Sequence, residues 1–228
     1  LDNAAITQEI KALAKHAWRR PLTDSETKEL DVLISGKLKN SESKADALKD
    51  LLLAVFADTR FLFHSDVEPT QRMQNHELVG RLSAFLWRSA PDQRLFDLAS
   101  RDGPITDAEL SAEVRRMLAD ARADRFITDF TASWVAFSKL DQIAINPNYY
   151  RWWNPKFKDY MKLEPIAFLK TLLREDLSCL NCLSSDFMIV NDVMAKYYGV
   201  GLPASGHRFS RVPAPEGRGG VLTQAAFL

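Results

Sequence analysis

The sequence predicts an all-α protein: an irregular multi-helix domain with long ordered loops and at most a short β element near 207–213. Three observations carry this. Apolar residues recur at three- and four-residue steps through most of the chain, as half-buried helices require. Helix start and stop signals punctuate those runs. Strand-like sequence is confined to the apolar run after Asp186 and to the neighbourhood of Val212.

The first helix carries Ile6, Ile10, Leu13 and Ala17 and is stopped by Pro21. Thr23 and Glu26 form a capping box for the second, because each side chain satisfies an N–H that the first turn leaves unpaired. That helix runs to about Lys37. A third covers Ser43 to Asp58, with Leu48, Leu51, Leu52, Val55 and Phe56 inward. Asn75 caps a fourth, which carries Leu78, Leu82, Phe85 and Leu86. Ser89-Ala90-Pro91 ends it, and proline opens the next short helix without losing a needed hydrogen bond. Thr106 and Glu109 make a second capping box, for a helix to about Ala119. Asp120 caps another, with Phe126, Ile127, Phe130, Trp134 and Val135 buried. Residues 138–153 read as an ordered loop. Asn154-Pro155 opens a helix to about Asp176, which Pro165 should kink or divide. Asn191 caps a short helix closed by Gly199. The glycine- and proline-rich segment 200–220 reads as extended loop, and a last helix starts near Val221.

Thirty basic residues balance thirty acidic ones. That neutrality speaks against an electrostatic nucleic-acid binder, which needs clustered Lys and Arg. No apolar run approaches the roughly 20 residues of a membrane-spanning helix. The start of the chain lacks the basic and apolar regions of a signal peptide, and the chain reads as a fragment of a longer protein.

Several groups invite a chemical reading. Cys179 and Cys182 form one C-x-x-C. Residue 183 is leucine, so the haem-attachment pattern C-x-x-C-H is missing. No second cysteine pair completes a zinc site. Incidental thiols and a disulfide in an oxidising compartment remain as readings. His16, His64, His76 and His207 show no metal-ligand spacing, and no metal is expected. Arg218 beside Gly217, Gly219 and Gly220 either anchors a tight turn or helps hold an anion at a helix start. The densest cluster is 146–160, with Tyr149, Tyr150, Arg151, Trp152 and Trp153, then Lys156, Phe157, Lys158 and Tyr160. Rings beside cations stack on sugars or on a partner surface, or else staple the loop to the core. Asp92, Asp120 and Asp186 have Arg81, Arg116 and Arg122 as natural partners. An Arg–Asp structural network is the favoured reading, with Arg218 alongside. An acid/base pair across a cleft is its competitor. No catalytic residue is assigned.

Five stretches carry a wider resemblance: RRPLT at 19–23, RLSAFLWRSAPD at 81–92, RMLADAR at 116–122, NDVMAKYYG at 191–199 and RGGVLTQ at 218–224. In this order they resemble the large planctomycete proteins built around a helical domain of unknown function. Two departures stand out. Asp58-Thr59-Arg60-Phe61 replaces the usual Ser-Pro before an aromatic, and the C-x-x-C is not a family feature. The resemblance implies a small leading helical domain over 1–66, a central helical domain over 67–217 and the start of a following domain at 218–228. It implies export to the periplasm or beyond. The expected partners are neighbouring domains of the same polypeptide, cytochrome c and polysaccharide, with neither nucleic acid nor a membrane span. No cofactor is expected in this chain, and haem c is expected only in a fused or partner domain. The chain then reads as a structural or interaction module. The alternative is part of a redox or carbohydrate-active enzyme whose site is completed by downstream domains.

Overall fold

Asp2 opens α1 (Asn3–Ala17) by accepting the Ala5 N–H at 2.7 Å. The computed structural model describes residues 2–63, 73–144, 155–201 and 206–227. Within these lie eleven α-helices and one two-stranded sheet, so the fold is mostly α with a short β element. The described residues form two compact units, 1–116 and 117–228.

In the first unit, α1 packs with α2 (Asp24–Asn40) and α3 (Lys44–Ala57). Their core holds Ile6, Ile10, Ala14, Leu30, Ile34, Leu51 and Val55, all nearly inaccessible. Thr23 and Glu26 make the capping box in full. A four-residue helix α4 (Thr59–Leu62) follows, capped by Asp58. The buried stripe of α3 is Ala47, Leu51 and Val55, whereas Leu52 and Phe56 are about 40 % exposed, contrary to expectation. α3 is apolar on more than one side, so spacing alone does not select the inward face.

The same correction recurs in α5 (Asn75–Trp87). Its buried face is Val79, Ser83, Leu86 and Trp87; of the expected Leu78, Leu82, Phe85 and Leu86, only Leu86 is buried. Phe85 is 62 % exposed and Trp87 fully buried. The larger indole wins the interior, and the small Gly80 and Ser83 lie on its side of the helix. Asn75 is not the cap. Its side chain accepts from the Ile105 N–H and donates to the Gly103 carbonyl, tying down a later loop. α6 (Gln93–Ser100) is capped by Asp92, and α7 is Asp107–Ala119. The Thr106–Glu109 capping box opens α7.

The second unit begins with α8 (Ala123–Trp134), α9 (Phe137–Gln142) and α10 (Pro155–Arg174). Asp120 accepts the Arg122 N–H in the turn before α8 rather than capping it. Ile127 is buried, but Phe130 and Trp134 are nearly half exposed, which corrects the expected face of α8. Helix α9 occupies part of the segment expected to be loop. Pro165 does not divide α10, which continues for 20 residues. A 3-10 turn (Cys179–Cys182) leads to β1 (Phe187–Val190), then α11 (Asp192–Tyr198), β2 (Ser210–Pro213) and a 3-10 turn (Val221–Thr223) where a last helix was expected.

β1 pairs antiparallel with β2, Phe187 opposite Pro213 and Val190 opposite Ser210. Alternate side chains of a strand point to opposite faces. Phe187 and Ile189 join Ile127, Phe168, Leu172 and Val221. Met188 and Val190 join Phe157, Met161, Met194 and Ala225. Both faces are covered, which is why FMIV is apolar without alternation. α10 serves both clusters, with Phe157 and Met161 in one and Phe168 and Leu172 in the other. The two compact units meet at 116/117, whereas the expected sequence modules meet at 66/67 and 217/218. Compactness in space and sequence modules are separate criteria.

Candidate functional site

The buried stripe of α10 steps 157, 161, 164, 168, 172, and its middle member is an acid. Glu164 is fully buried. Its Oε2 accepts from the Tyr198 hydroxyl at 2.6 Å, and that hydroxyl accepts from the Ala225 N–H at 2.6 Å. Among the described residues Glu164 Oε1 has no hydrogen-bond partner, and neither has Oε1 of the nearly inaccessible Gln224. Burial pushes the Glu164 carboxyl up to about 8, against the opposing pull of its hydrogen bonds and of Arg218. The acid is therefore largely protonated at neutral pH. Burial and the neighbouring acid likewise raise the Tyr198 phenol. The Arg218 guanidinium stands 4.5 Å over the Tyr198 ring and donates to the Thr223 carbonyl at 3.0 Å. This is a closed acid–phenol–guanidinium centre that ties α10 and α11 to the RGG segment. The acid itself is inaccessible, while Tyr198 and Arg218 are half-buried.

The glycines of that segment are there for space. A Cβ on Gly219 would stand 2.0 Å from the Ser185 carbonyl oxygen, and one on Gly220 2.8 Å from that of Cys182. Arg218 thus anchors a tight turn. The following 3-10 turn is too short to gather an anion.

An open cleft lies along α10 and α11. Lys156, Phe157, Tyr160, Val193, Lys196, Tyr197 and His207 line a cavity of about 600 Å³. Tyr160 and His207 stack at 6.3 Å with a 16° interplanar angle, and Phe157 meets Tyr197 at 5.0 Å. His207 Nδ1 lies 2.9 Å from Asp192 Oδ1, so the carboxylate fixes the ring's orientation. Lys156, Phe157 and Tyr160 belong to the aromatic–cationic cluster seen in the sequence. Tyr149, Tyr150, Arg151, Trp152 and Trp153 lie outside the described residues. Neither Lys196 nor His207 was singled out as a cleft residue. The signal was weak: Val193, Lys196 and Tyr197 share one face of a seven-residue helix.

The remaining expected residues divide between the units. In the first, Arg116 pairs with Asp92 at 2.8 Å and with Glu113 at 2.6 Å, and its guanidinium lies 5.2 Å from the Trp87 ring centre. Arg81 pairs with Glu77 one turn back. In the second, Arg122 pairs with Asp120 at 2.8 Å. Arg174 reaches the same turn, donating to the carbonyls of Leu118 and Asp120 and to Asp124. Asp186 is exposed and offers its backbone carbonyl to Ala214, outside any such pair with the three arginines.

RRPLT also has a local explanation. Arg19 adopts φ 61° and donates to the carbonyls of Arg60, Phe61 and Phe63. Arg20 makes a two-pronged pair with Glu26, which Arg60 joins at 3.0 Å. Asp58 holds Arg60 at 2.6 Å, and Arg60 covers Trp18 at 3.8 Å. The sequence departure at 58–61 is thus built into the first unit. A cleft of about 400 Å³ here is lined by Arg19, Arg20 and Arg60, but their guanidiniums are already bound. Cys179 and Cys182 are free thiols. Among the described residues no acid, histidine and cysteine cluster fits a metal ion. No described helix is long and apolar enough to cross a membrane.

The described residues are thus mostly α-helical, with a buried acid–phenol centre and an aromatic–cationic cleft. Residues 73–200, more than half of the chain, match the family described as PSD4, Protein of unknown function (DUF1592), and the chain belongs to that family. The match includes Glu164, Tyr198 and the cleft residues of α10 and α11, and it stops before His207 and Arg218. No curated protein and no solved structure matches the chain.

Proposed function

We propose that the chain is a helical docking module of a larger exported protein and engages its partners through the cleft of α10 and α11. The observation that carries this is the cleft itself: Tyr160, Tyr197, Lys156 and Lys196 line a single cavity, and among the described residues no catalytic constellation stands beside it. Its proposed partners are neighbouring domains of the same polypeptide, a cytochrome c domain that carries haem c, and polysaccharide. Its proposed place is the periplasm or the extracytoplasmic space. The enzyme alternative calls for a cleft with two convergent carboxylates or an Arg–Asp pair facing solvent. Asp92 is paired with Arg116, Asp120 with Arg122, and Glu164 is inaccessible, which speaks against the two-carboxylate form of that reading.

Two measurements test the reading. Tyr160→Ala and Tyr197→Ala should each abolish co-purification with the parent protein's other domains or retention on polysaccharide, while the melting transition is kept. Loss of folding in both variants makes the rings core residues and ends the docking idea. A visible spectrum of the secreted parent, before and after dithionite, tests the cytochrome association. Reducible haem bands support it, and their absence removes it.

A further inference from the structure

The C-x-x-C pair carries chemistry that the docking reading leaves unused. Cys179 and Cys182 are the first and last residues of a 3-10 turn. A 3-10 helix has three residues per turn and rises about 2.0 Å per residue, so side chains three residues apart eclipse. Their Cα atoms then stand about 6 Å apart, inside the roughly 4.4–6.8 Å that a disulfide spans. Neighbouring groups hold the turn in this form. The Ser178 side chain accepts the Leu180 N–H at 3.3 Å, and the Asn181 side chain donates to the Ser178 carbonyl at 2.9 Å. Gly220 backs the turn closely enough that only a residue without Cβ fits against the Cys182 carbonyl. The two thiols differ in access. Cys179 is exposed, whereas Cys182 is partly covered and packs against the cluster of Ile127, Phe168 and Val221. Burial and the neighbouring Cys179 push the Cys182 thiol up. An incoming disulfide therefore meets Cys179 first.

We propose that Cys179 and Cys182 form a reversible dithiol–disulfide couple that exchanges with peptide disulfides, Cys179 attacking and Cys182 resolving. This is independent of the docking reading. In the first step the Cys179 thiolate attacks one sulfur of the substrate disulfide. A mixed disulfide forms, the substrate S–S bond breaks, and the departing sulfur takes up the proton that Cys179 released. In the second step the Cys182 thiolate attacks Cys179 Sγ. The mixed S–S bond breaks, and the second substrate thiol leaves with the Cys182 proton. Two electrons pass from the cysteine pair to the substrate, and no other reductant takes part. Cys182 is the poorer nucleophile towards a free disulfide, but its attack here is intramolecular, and orientation offsets the smaller thiolate fraction. Leu180 and Leu183 are exposed on the same turn and offer apolar contact to a peptide. Two thiols alone fall short of a structural zinc site, and among the described residues no third ligand joins them.

The test is oxidation of the reduced chain in glutathione buffers of rising disulfide content. Free thiols are trapped by alkylation and the products are weighed by mass spectrometry. The native chain should become two hydrogens lighter and carry no glutathione, and excess glutathione thiol should restore both cysteines. Cys182→Ser should accumulate one glutathione, at Cys179. Cys179→Ser should gain it at least about tenfold more slowly, because Cys182 is covered and its thiolate scarcer. The effective concentration of one thiol for the other should be at least about tenfold higher in the folded chain than in the denaturant-unfolded chain, because the turn holds the pair in place. Stable glutathione adducts on the native chain without closure overturn the proposal. A disulfide that excess glutathione thiol does not reopen makes the pair structural and overturns it too. Equal rates for the two serine variants, or equal closure of folded and unfolded chains, leave an ordinary flexible dithiol and sink the assigned roles. The closure measurements use the native chain, so a misfolded variant cannot hide the answer. None of these outcomes bears on the cleft of α10 and α11, whose docking role is read from co-purification.

Discussion

Glu164 shows how much one buried proton decides. Its ordinary value is 4.5, and in the folded chain it is raised to about 8. Between those values the folded form keeps a proton that the unfolded form has released, so rising pH favours unfolding. Its contribution is full below about 4.5 and is lost as pH rises through about 8. Urea midpoints measured from pH 5 to 9 should therefore fall more steeply for the native chain than for Glu164→Gln. Identical slopes would mean that Glu164 is not held protonated. Gly219 is the second decisive residue. At φ +123°, with backbone oxygen 2.0 Å from any Cβ, it leaves a side chain nowhere to go. Gly219→Ala should cost about 3 kcal/mol or more, the range of severe backbone and packing defects. A thermal midpoint within 2 °C of the native value, roughly 0.5–1 kcal/mol for a chain of this size, would refute that.

At the scale of elements, α6 depends on Asp92 for two separate services. The carboxylate caps the helix through the Leu95 N–H at 3.0 Å and pairs with Arg116. Asp92→Ala removes both and should cost about 1–3 kcal/mol. Asp92→Asn keeps a capping oxygen and drops the charge, so it should cost about half as much. Equal losses by chemical denaturation would assign the whole effect to the ion pair. α10 makes a different point. A proline inside a helix costs about 3 kcal/mol locally, yet α10 runs through Pro165 unbroken. Apolar side chains before and after Pro165 are buried in two separate clusters, and that burial outweighs the local defect. Tertiary packing overrides the local stop signal wherever both flanks of a helix are tied down.

At the scale of the whole chain, the core of α1, α2 and α3 shares no residue with the two clusters around β1. Changes in one should not couple to changes in the other. Glu26 is held well below the ordinary carboxylate range, chiefly by its hydrogen bonds to Arg20. Glu26→Gln should destabilise the first unit and Glu164→Gln should alter the second. Their free-energy effects in the double variant should add within about 0.5 kcal/mol. A larger deviation in denaturant titrations would show that the units are energetically one body.

The sequence by itself determined most of the helices and part of their punctuation. The Thr23–Glu26 and Thr106–Glu109 capping boxes, the Asn191 cap and the Gly199 stop are local, because a cap and the N–H or C=O it serves lie within one turn of each other. The strand at 210–213 falls within the short β region the sequence suggested. What only the tertiary structure decided is which face of each helix goes inward and which distant residues meet. α5 carries two stripes of apolar residues one position apart, and the choice between them is made by what packs against the helix. Glu164, Tyr198 and Arg218 are 34 and 20 residues apart in sequence. The one local hint was an acid at the centre of an apolar stripe, and nothing local named its partners. The cleft is of the same kind, since α10, α11 and the residues before β2 supply its rings and charges from separate segments. Local signals specify elements because their energies act within a turn. Sites are made by packing, whose energies act across the fold.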